Sequence, residues 1–535
     1  MDGHEPIKVA GIEVPAEERT PLVDRLLRVI EEQQAEMRAL RDAIDRLKGL
    51  PRRPTIRPST LNAPHPDPSH KRKRRGKRPG SAKRQKTGEL MIHETIPVSL
   101  EGLPEGTRQN GYEDFVVQDL NIEVHNVCYR RLRYLLPDGT SQTAHLPAHV
   151  HGHFGPGLRS YVLYQHHQNG VTQPLIHEEL LDRGIDISTG QIDRLLTEGH
   201  EQFHEEKDAL LPAAREVSSY FQADDTSARH LGQNAYTTVI ANPLFASFTT
   251  TPSKSRVNFL KLLRFPHEEY VWNEDALMYA KSQGLSLELR ARLASAAGKG
   301  TRIFSSDKAW ERQLAAWKVR GDEPRRIVTE AALFGTLMHY EMYVGQPLLS
   351  DDAGQFKISG LLHALCWLHA ERSIRKLVPL SPREQEAIDH VRDAVWKYYQ
   401  RLRAYREGPT PLRKAALERD FDRLFRQRTG FADLNEALRR IHEKRDDLLL
   451  VLERPEIPLH NNLSESDIRE WAKRRKISAG TRSELGRRCR DTFISLKKTC
   501  RKLGVSFWQY LQDRIRGARE ILTLPELIRQ AAPET

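Results

Sequence analysis

Cysteine is scarce. The chain has 4 in 535 residues, at Cys128, Cys366, Cys489 and Cys500, and no two form a CxxC pair. That excludes a disulfide framework and suits a reducing compartment. Long apolar text is missing too, since no run reaches the roughly 18 residues a membrane span needs. The opening Met1-Asp2-Gly3-His4-Glu5 is acidic and has no apolar signal core. The expected setting is the cytoplasm, at the nucleoid, with no membrane partner. Positive charge is what the chain has in excess. Its 84 Lys and Arg outweigh 72 Asp and Glu, for a net +12. A polyanion such as DNA or RNA is a better partner for such a chain than a neutral small molecule. The length predicts several domains with sizeable cores.

Residues 17–50 read as one helix with a heptad seam. Val23, Ile30, Met37 and Ile44 share one seam position, and Leu26, Gln33, Leu40 and Leu47 the other. This pattern predicts a coiled coil and a homo-oligomer; the alternative is a helix packed on its own chain. Residues 51–90 are a Pro-rich linker ending in a basic arm. Lys71, Arg72, Lys73, Arg74 and Arg75 open that arm, and neutralising phosphates is its expected role. Residues 91–160 alternate weakly and predict a small β-rich module. Cys128, His145 and His149 fall there without a cysteine pair, so zinc is not expected. Residues 161–210 predict a helix-turn-helix-like unit. Pro174 to Leu181 is the first helix, Gly184 the turn, and Ser188 the cap of a second helix that exposes Gln191, Asp193 and Arg194.

Three acidic motifs follow, far apart. They are Asp224-Asp225-Thr226, Ser350-Asp351-Asp352 and Asn461-Asn462-Leu463-Ser464-Glu465. The first two follow strand-like runs and the third opens a helix. That order suits an RNase H-type catalytic core, in which carboxylates gather two magnesium ions about 3.5–4 Å apart. Each motif also has a plain reading. The aspartates are ordinary turn residues, and Asn462-x-x-Glu465 resembles a capping box. Arg469 lies one helical turn beyond Glu465, within reach of a phosphate. His363, Cys366, His369 and Arg372 recur at spacing three on a helix expected over 358–377. A basic stretch follows Glu465 and includes Arg475, Lys476, Lys497, Lys498, Arg501 and Lys502. Its expected role is to hold DNA strands over the carboxylates.

These motifs resemble the insertion sequence 66 family, a group of DDE-type bacterial transposases. Asp224-Asp225-Thr226 is similar to the family's first motif. Asp351 with Phe356, then Cys366-Trp367-Leu368-His369-Ala370-Glu371-Arg372, is similar to the second. Asn461, Asn462, Glu465, Ile468 and Arg469 match the third, and Arg475-Lys476 and Ser495-Leu496-Lys497-Lys498-Thr499 match runs downstream. The resemblance implies that Asp224, Asp351 and Glu465 are catalytic and hold the magnesium ions. Asn461, Asn462, Cys366, His369 and Arg372 would support them. It also implies double-stranded DNA as partner, both element ends and target, and small accessory proteins of the same element. The chain departs from the family in lacking its paired CxxC motifs and in a longer segment between 265 and 343.

The expected architecture is therefore a multi-domain α/β protein. An RNase H-like core over 215–515 is interrupted by helical insertions at about 265–343 and 382–453. The expected activity is metal-dependent strand cleavage and strand transfer. The alternatives are a two-metal nuclease or recombinase that does not join, and a non-enzymatic DNA-binding regulator on a degenerate scaffold.

Overall fold

The computed structural model describes residues 7–9, 12–14, 20, 23, 29, 91–99, 101, 102, 104, 106–108, 111–147, 150, 152–297 and 300–531. Apart from Thr20, Val23 and Val29, the heptad helix lies outside the described residues. So do the linker and its run from Lys71 to Arg75. The chain divides into two compact units, Met1–Glu123 and Val124–Thr535. In the first, β1 (Ile7–Val9) and β2 (Ile12–Val14) form an antiparallel pair.

The second unit opens with β3 (Arg133–Leu135) and β4 (Ser141–Thr143), a short hairpin. Among the described residues it is the whole of the β structure in the module expected over 91–160. Phe115, Leu120 and Tyr134 remain exposed, and weak alternation without a partner face does not stabilise a sheet. Five α-helices follow, with a π-helical stretch (Gln165–Asn169) after the first: α1 (Pro156–Tyr164), α2 (Gln173–Asp182), α3 (Thr189–Thr197), α4 (Glu201–Asp208) and α5 (Leu210–Val217). Gly184 makes the turn after α2 at φ +79°, where a side chain would be strained. Ser188 caps α3 by accepting from the Gln191 N–H at 3.2 Å. Ile192 and Leu196 are buried beneath it.

The central sheet begins with β5 (Phe221–His230), β6 (Gln233–Ala241) and β7 (Ala246–Thr251), an antiparallel meander. A mostly helical segment intervenes. It comprises α6 (Arg256–Leu263), β8 (Tyr270–Trp272), α7 (Glu274–Ser282), α8 (Leu287–Ala297), β9 (Arg302–Phe304), α9 (Asp307–Ala316) and α10 (Asp322–His339). The chain then returns to the sheet as β10 (Leu348–Ser350) and β11 (His363–Leu365), and leaves it through α11 (Trp367–Arg375). The sheet order is β11-β10-β5-β6-β7, with β10 parallel to both of its neighbours.

A helical cluster interrupts the chain again with α12 (Pro382–Glu407), α13 (Pro411–Arg426), α14 (Ala432–His442) and α15 (Arg445–Leu449). It has its own core, in which Tyr398, Phe421 and Phe425 surround Trp367. The last helices are α16 (Asn462–Ser478), α17 (Glu484–Lys502), α18 (Phe507–Arg516) and α19 (Leu524–Gln530).

Two helices fix the sheet. On α16, Ile468 and Trp471 bury against Ala228, Val239 and Phe248. On α17, Asp491, Ser495 and Thr499 stand one turn apart and accept from the backbone N–H groups of Thr250, Phe248 and Ala246 at 2.8, 2.9 and 3.2 Å. The donors of edge strand β7, otherwise open to another strand, are thereby satisfied.

Two expectations are corrected here. Asp224 and Asp225 lie inside β5, not at its end, because the strand extends to His230 and pairs throughout with β6. The helix expected over 358–377 is a strand followed by a shorter helix. His363 belongs to β11, Cys366 is the residue before α11, and only His369 and Arg372 are helical.

Candidate active site

Side chains alternate along β5, so Gln222, Asp224, Thr226 and Ala228 share one face. Gln222 Oε1 accepts from the Ser464 N–H in the first turn of α16 at 3.4 Å. Ala228 packs against Ile468 and Trp471 further along that helix. Asp224 lies between these two contacts, beneath the turn that carries Glu465. The pairing of β5 with β10 brings in the second acid. Phe221 pairs with Leu348 and Gln222 with Leu349. The same offset, continued two residues, sets Asp224 level with Asp351.

Burial pushes the Asp224 carboxyl up to about 7. Repulsion from Asp351, Asp225 and Glu465 adds to the rise, against the Asp225 N–H that Asp224 accepts at 2.8 Å. A carboxyl that feels three other acids marks a convergence of negative charge. Asp225 faces the other side of the strand, where Lys254 pairs with it at 2.7 Å and Gln355 donates to it.

The second motif separates in the same way. Asp352 is paired with Lys357 at 2.5 Å and with Lys444 from the helical cluster. Burial alone would raise its carboxyl, but the two lysines hold it below the usual range. Among the described residues, Asp351 instead accepts only the Ala353 N–H, at 3.1 Å. Its backbone is held from behind. Ser350 Oγ donates to the Asp351 carbonyl at 2.7 Å and lies 2.8 Å from His363 Nε2. With the hydroxyl proton spent on the carbonyl, Nε2 is the donor of that second bond.

Glu465 does not form the capping box its spacing suggested, for α16 begins without a side-chain cap. Its carboxylate pairs with Arg469 at 3.0 Å and lies 3.8 Å from His369 Nε2. Arg372 donates to that same His369 nitrogen at 3.0 Å. Burial and Arg372 lower the His369 pKa against the pull of Asp351 and Glu465, so the ring is neutral. Cys366 is buried and its thiol is pushed up by burial, which makes it inert packing. Asn462 is the first residue of α16. Asn461 is fully buried, and among the described residues neither its amide nitrogen nor its amide oxygen has a partner. Glu465 Oε1 and His369 Nδ1 are orphaned in the same way. Such atoms also occur elsewhere among the described residues, as at Trp272 Nε1 and the Tyr510 hydroxyl, so here they count only because they stand beside the acids.

Among the described residues, no three His, Cys, Asp or Glu side chains stand close enough to chelate an ion as they are. A cation bound between these acids would relieve their mutual repulsion. The donors are carboxylate oxygens, with an orphaned oxygen on Glu465, and this set suits a hard cation such as magnesium. The residues fit the group.

The basic residues sort into two classes. Arg469, Lys473, Lys476, Arg482, Arg488 and Arg501 are exposed. Lys497 and Lys498 instead pair with Glu470, and Lys498 and Lys502 with Asp467. Arg475 donates to the Ser227 carbonyl of β5. The expectation that the whole stretch faces DNA is corrected: acids on α16 neutralise much of it within the fold. On α3, Arg194 donates to Gln191 at 2.8 Å on the open side of the helix. Sequence reasoning missed Lys254, Gln355 and Lys444. Each comes from a different segment, and no local spacing connects them to the acids they hold.

Comparison with known proteins gives two matches. Residues 320–488 match the model described as the Transposase IS66 family, a span that includes Asp351 and Glu465. The chain is also 41% identical over 321 residues to a protein of Sinorhizobium fredii (strain NBRC 101917 / NGR234) named "Uncharacterized protein y4jO". That match covers 57% of this chain and 94% of the relative.

Proposed function

Because this chain belongs to the insertion sequence 66 family of transposases, we propose that it cuts and joins DNA at an RNase H-type centre built from Asp224, Asp351 and Glu465. The observation that carries the reading is the placement of Asp224. It lies on the face of β5 covered by the first turn of α16, and its carboxyl is raised by burial and by Asp351 and Glu465. The sheet order supports it as well, with an antiparallel meander followed by two parallel strands on the β5 side. No helix of the described residues is long and apolar enough to cross a membrane.

Asp224, Asp351 and Glu465 would hold two magnesium ions, which when bound supply charge stabilisation to the attacking and leaving oxygens. The chain's own residues do the rest. Arg372 fixes the His369 ring, whose neutral Nε2 faces Glu465. Asn461 offers a buried donor and acceptor beside the same helix start. The exposed Arg469, Lys473 and Lys476 lie along α16 beyond Glu465, where they position DNA through its phosphates. Gln191 and Arg194 on α3 are the candidates for reading a groove. In the reaction, water attacks the phosphodiester at the element end and its 3′ oxygen leaves as a hydroxyl; that hydroxyl then attacks a target phosphate in line and displaces the target strand's own 3′ oxygen. Double-stranded DNA is the substrate. A homo-oligomer, together with accessory proteins of the same element, would hold its two ends.

The test uses linear DNA carrying an element end. Wild-type protein should nick it with magnesium and should join pre-cut ends to a target. Asp224→Asn and Glu465→Gln should bind the same DNA and do neither. Nicking without joining of pre-cut ends would reassign the chain as a nuclease. Undiminished nicking by either variant would remove the site.

A further inference from the structure

Arg256, at the start of α6, ties the first helical segment to the turn that carries Asp351. Its Nη2 donates to the Gly354 carbonyl at 2.9 Å. Its Nη1 donates to Gln283 Oε1 at 2.8 Å and to Glu330 Oε2 at 3.2 Å. Glu330 is fully buried in α10. It also receives Arg326 Nη1 at 2.7 Å and the Tyr279 hydroxyl at 3.2 Å. A buried carboxylate held by three donors is a fixed anchor, because losing a partner would leave its charge exposed to a low-dielectric interior. The guanidinium is therefore held from behind, and its free edge sets where Gly354 can sit.

The same short segment grips the turn twice more. Lys254 pairs with Asp225, and Asp225 accepts from Gln355. Phe259, one helical turn beyond Arg256, packs edge-to-face on the buried Phe356 with ring centroids 4.9 Å apart. Gly354, Gln355 and Phe356 are the residues that follow Asp351 toward β11. Each of the three is held by residues between 254 and 259 or by a partner of theirs.

We propose that Arg256, anchored by Glu330, is a positioning residue for Asp351, so that the first helical segment sets the geometry of the metal-binding turn. The inference rests on the reading of Asp351 as a metal ligand. A group that orients a ligand without touching the ion tunes affinity for the ion, and its loss typically costs 10- to 100-fold.

The experiment titrates Mn²⁺ into the full-length protein and follows the free ion by electron paramagnetic resonance. Melting curves and DNA-binding affinity are measured alongside. Arg256→Met should weaken Mn²⁺ binding by about 10- to 100-fold. Arg256→Lys, which keeps one donor, should fall between it and wild type, and Glu330→Gln should shift in the same direction. The melting temperature should fall, because each change disturbs a buried ion pair, while the variants stay folded at the assay temperature and DNA affinity stays near wild type. Nicking by Arg256→Met should recover at saturating Mn²⁺, a metal-affinity effect with the maximal rate kept. Asp351→Asn is the control for the underlying reading. If it binds Mn²⁺ as wild type does, Asp351 is not a ligand and both readings fail. If it loses the ion while Arg256→Met and Glu330→Gln bind normally, the ligand stands and the positioning role is overturned. Should Arg256→Met fail to fold, Arg256→Lys and Glu330→Gln decide by the same criterion.

Discussion

Lys254 holds the Asp225 carboxylate at 2.7 Å on the side of β5 turned away from Asp224. Two adjacent acids thus have different surroundings. Asp225 has a lysine partner, although burial still raises its carboxyl, whereas Asp224 faces other carboxylates. Asp224→Asn should lower magnesium-dependent nicking by roughly a thousandfold, since a metal ligand supplies several kcal/mol of charge stabilisation. Asp225→Asn should cost less than about tenfold. Nicking rates on one end substrate decide it, and equal losses would show that the alternation along β5 does not separate the pair.

The raised Asp224 carboxyl also predicts a pH dependence of stability without metal. Its folded pKa of about 7 lies above the ordinary value near 3.9. The folded state therefore keeps a proton that the unfolded chain releases, and stability falls as pH rises from about 4 to about 7. Near pH 8 the ionised carboxyl costs on the order of 4 kcal/mol. With a chelator present, Asp224→Asn should match wild type near pH 4 and exceed it increasingly up to pH 8. Thermal melts across that range test it. A constant gap would mean that Asp224 ionises in the folded protein at its ordinary pH.

Some of this was legible in the sequence because the signals are local. Ser188 was readable as a cap from the helix pattern after it, and its side chain accepts from Gln191 as a cap should. The meander of β5, β6 and β7 showed as β-branched text between turns. The failures came where the decisive contact is remote. Leu361 to Cys366 falls in the stretch expected to be helical, but pairing with β10 makes His363–Leu365 a strand, a distinction that periodicity alone does not draw in so short an apolar run. Lys498 and Lys502 read as part of a basic stretch that holds DNA, yet Asp467 on α16 pairs with both. The capping-box spacing at Glu465 was misleading: the helix starts without a side-chain cap, and the Glu465 carboxylate pairs with Arg469 instead.

The polar row on α17 makes a stability prediction separate from catalysis. Asp491 accepts from both the N–H and the hydroxyl of Thr250, each at 2.8 Å. Asp491→Ala strands a buried donor, the Thr250 N–H, while the Thr250 hydroxyl can turn to Thr237 at 2.7 Å, and the expected loss is about 1–3 kcal/mol in urea unfolding. Ser495→Ala strands one, the Phe248 N–H, and should cost about 1–2 kcal/mol. Losses within error for both would mean that β7 does not rely on this helix.

The basic arm should act through charge alone. Residues 71–86 carry ten Lys and Arg side chains. Deleting them should lower affinity for every DNA sequence alike and make the salt dependence shallower, by about 0.9 in logarithmic slope for each phosphate the arm no longer neutralises. Binding measured at several salt concentrations gives the slope. An unchanged slope would show that the arm does not touch phosphates.

Joining two element ends requires two DNA sites held together, and the heptad seam is the candidate for pairing two chains. Ile30 and Met37 share one seam position with Val23 and Ile44. Replacing both with Lys would bury like charges face to face in a paired seam of only four heptads. The double variant should be monomeric by light scattering. It should still bind a single end with near-normal affinity, because no proposed DNA contact is altered, and it should lose the ability to bridge two ends. If it keeps the wild-type oligomeric state, the seam packs within its own chain. The exposed faces of the helical cluster from α12 to α15 would then be the next surface to probe for the interface.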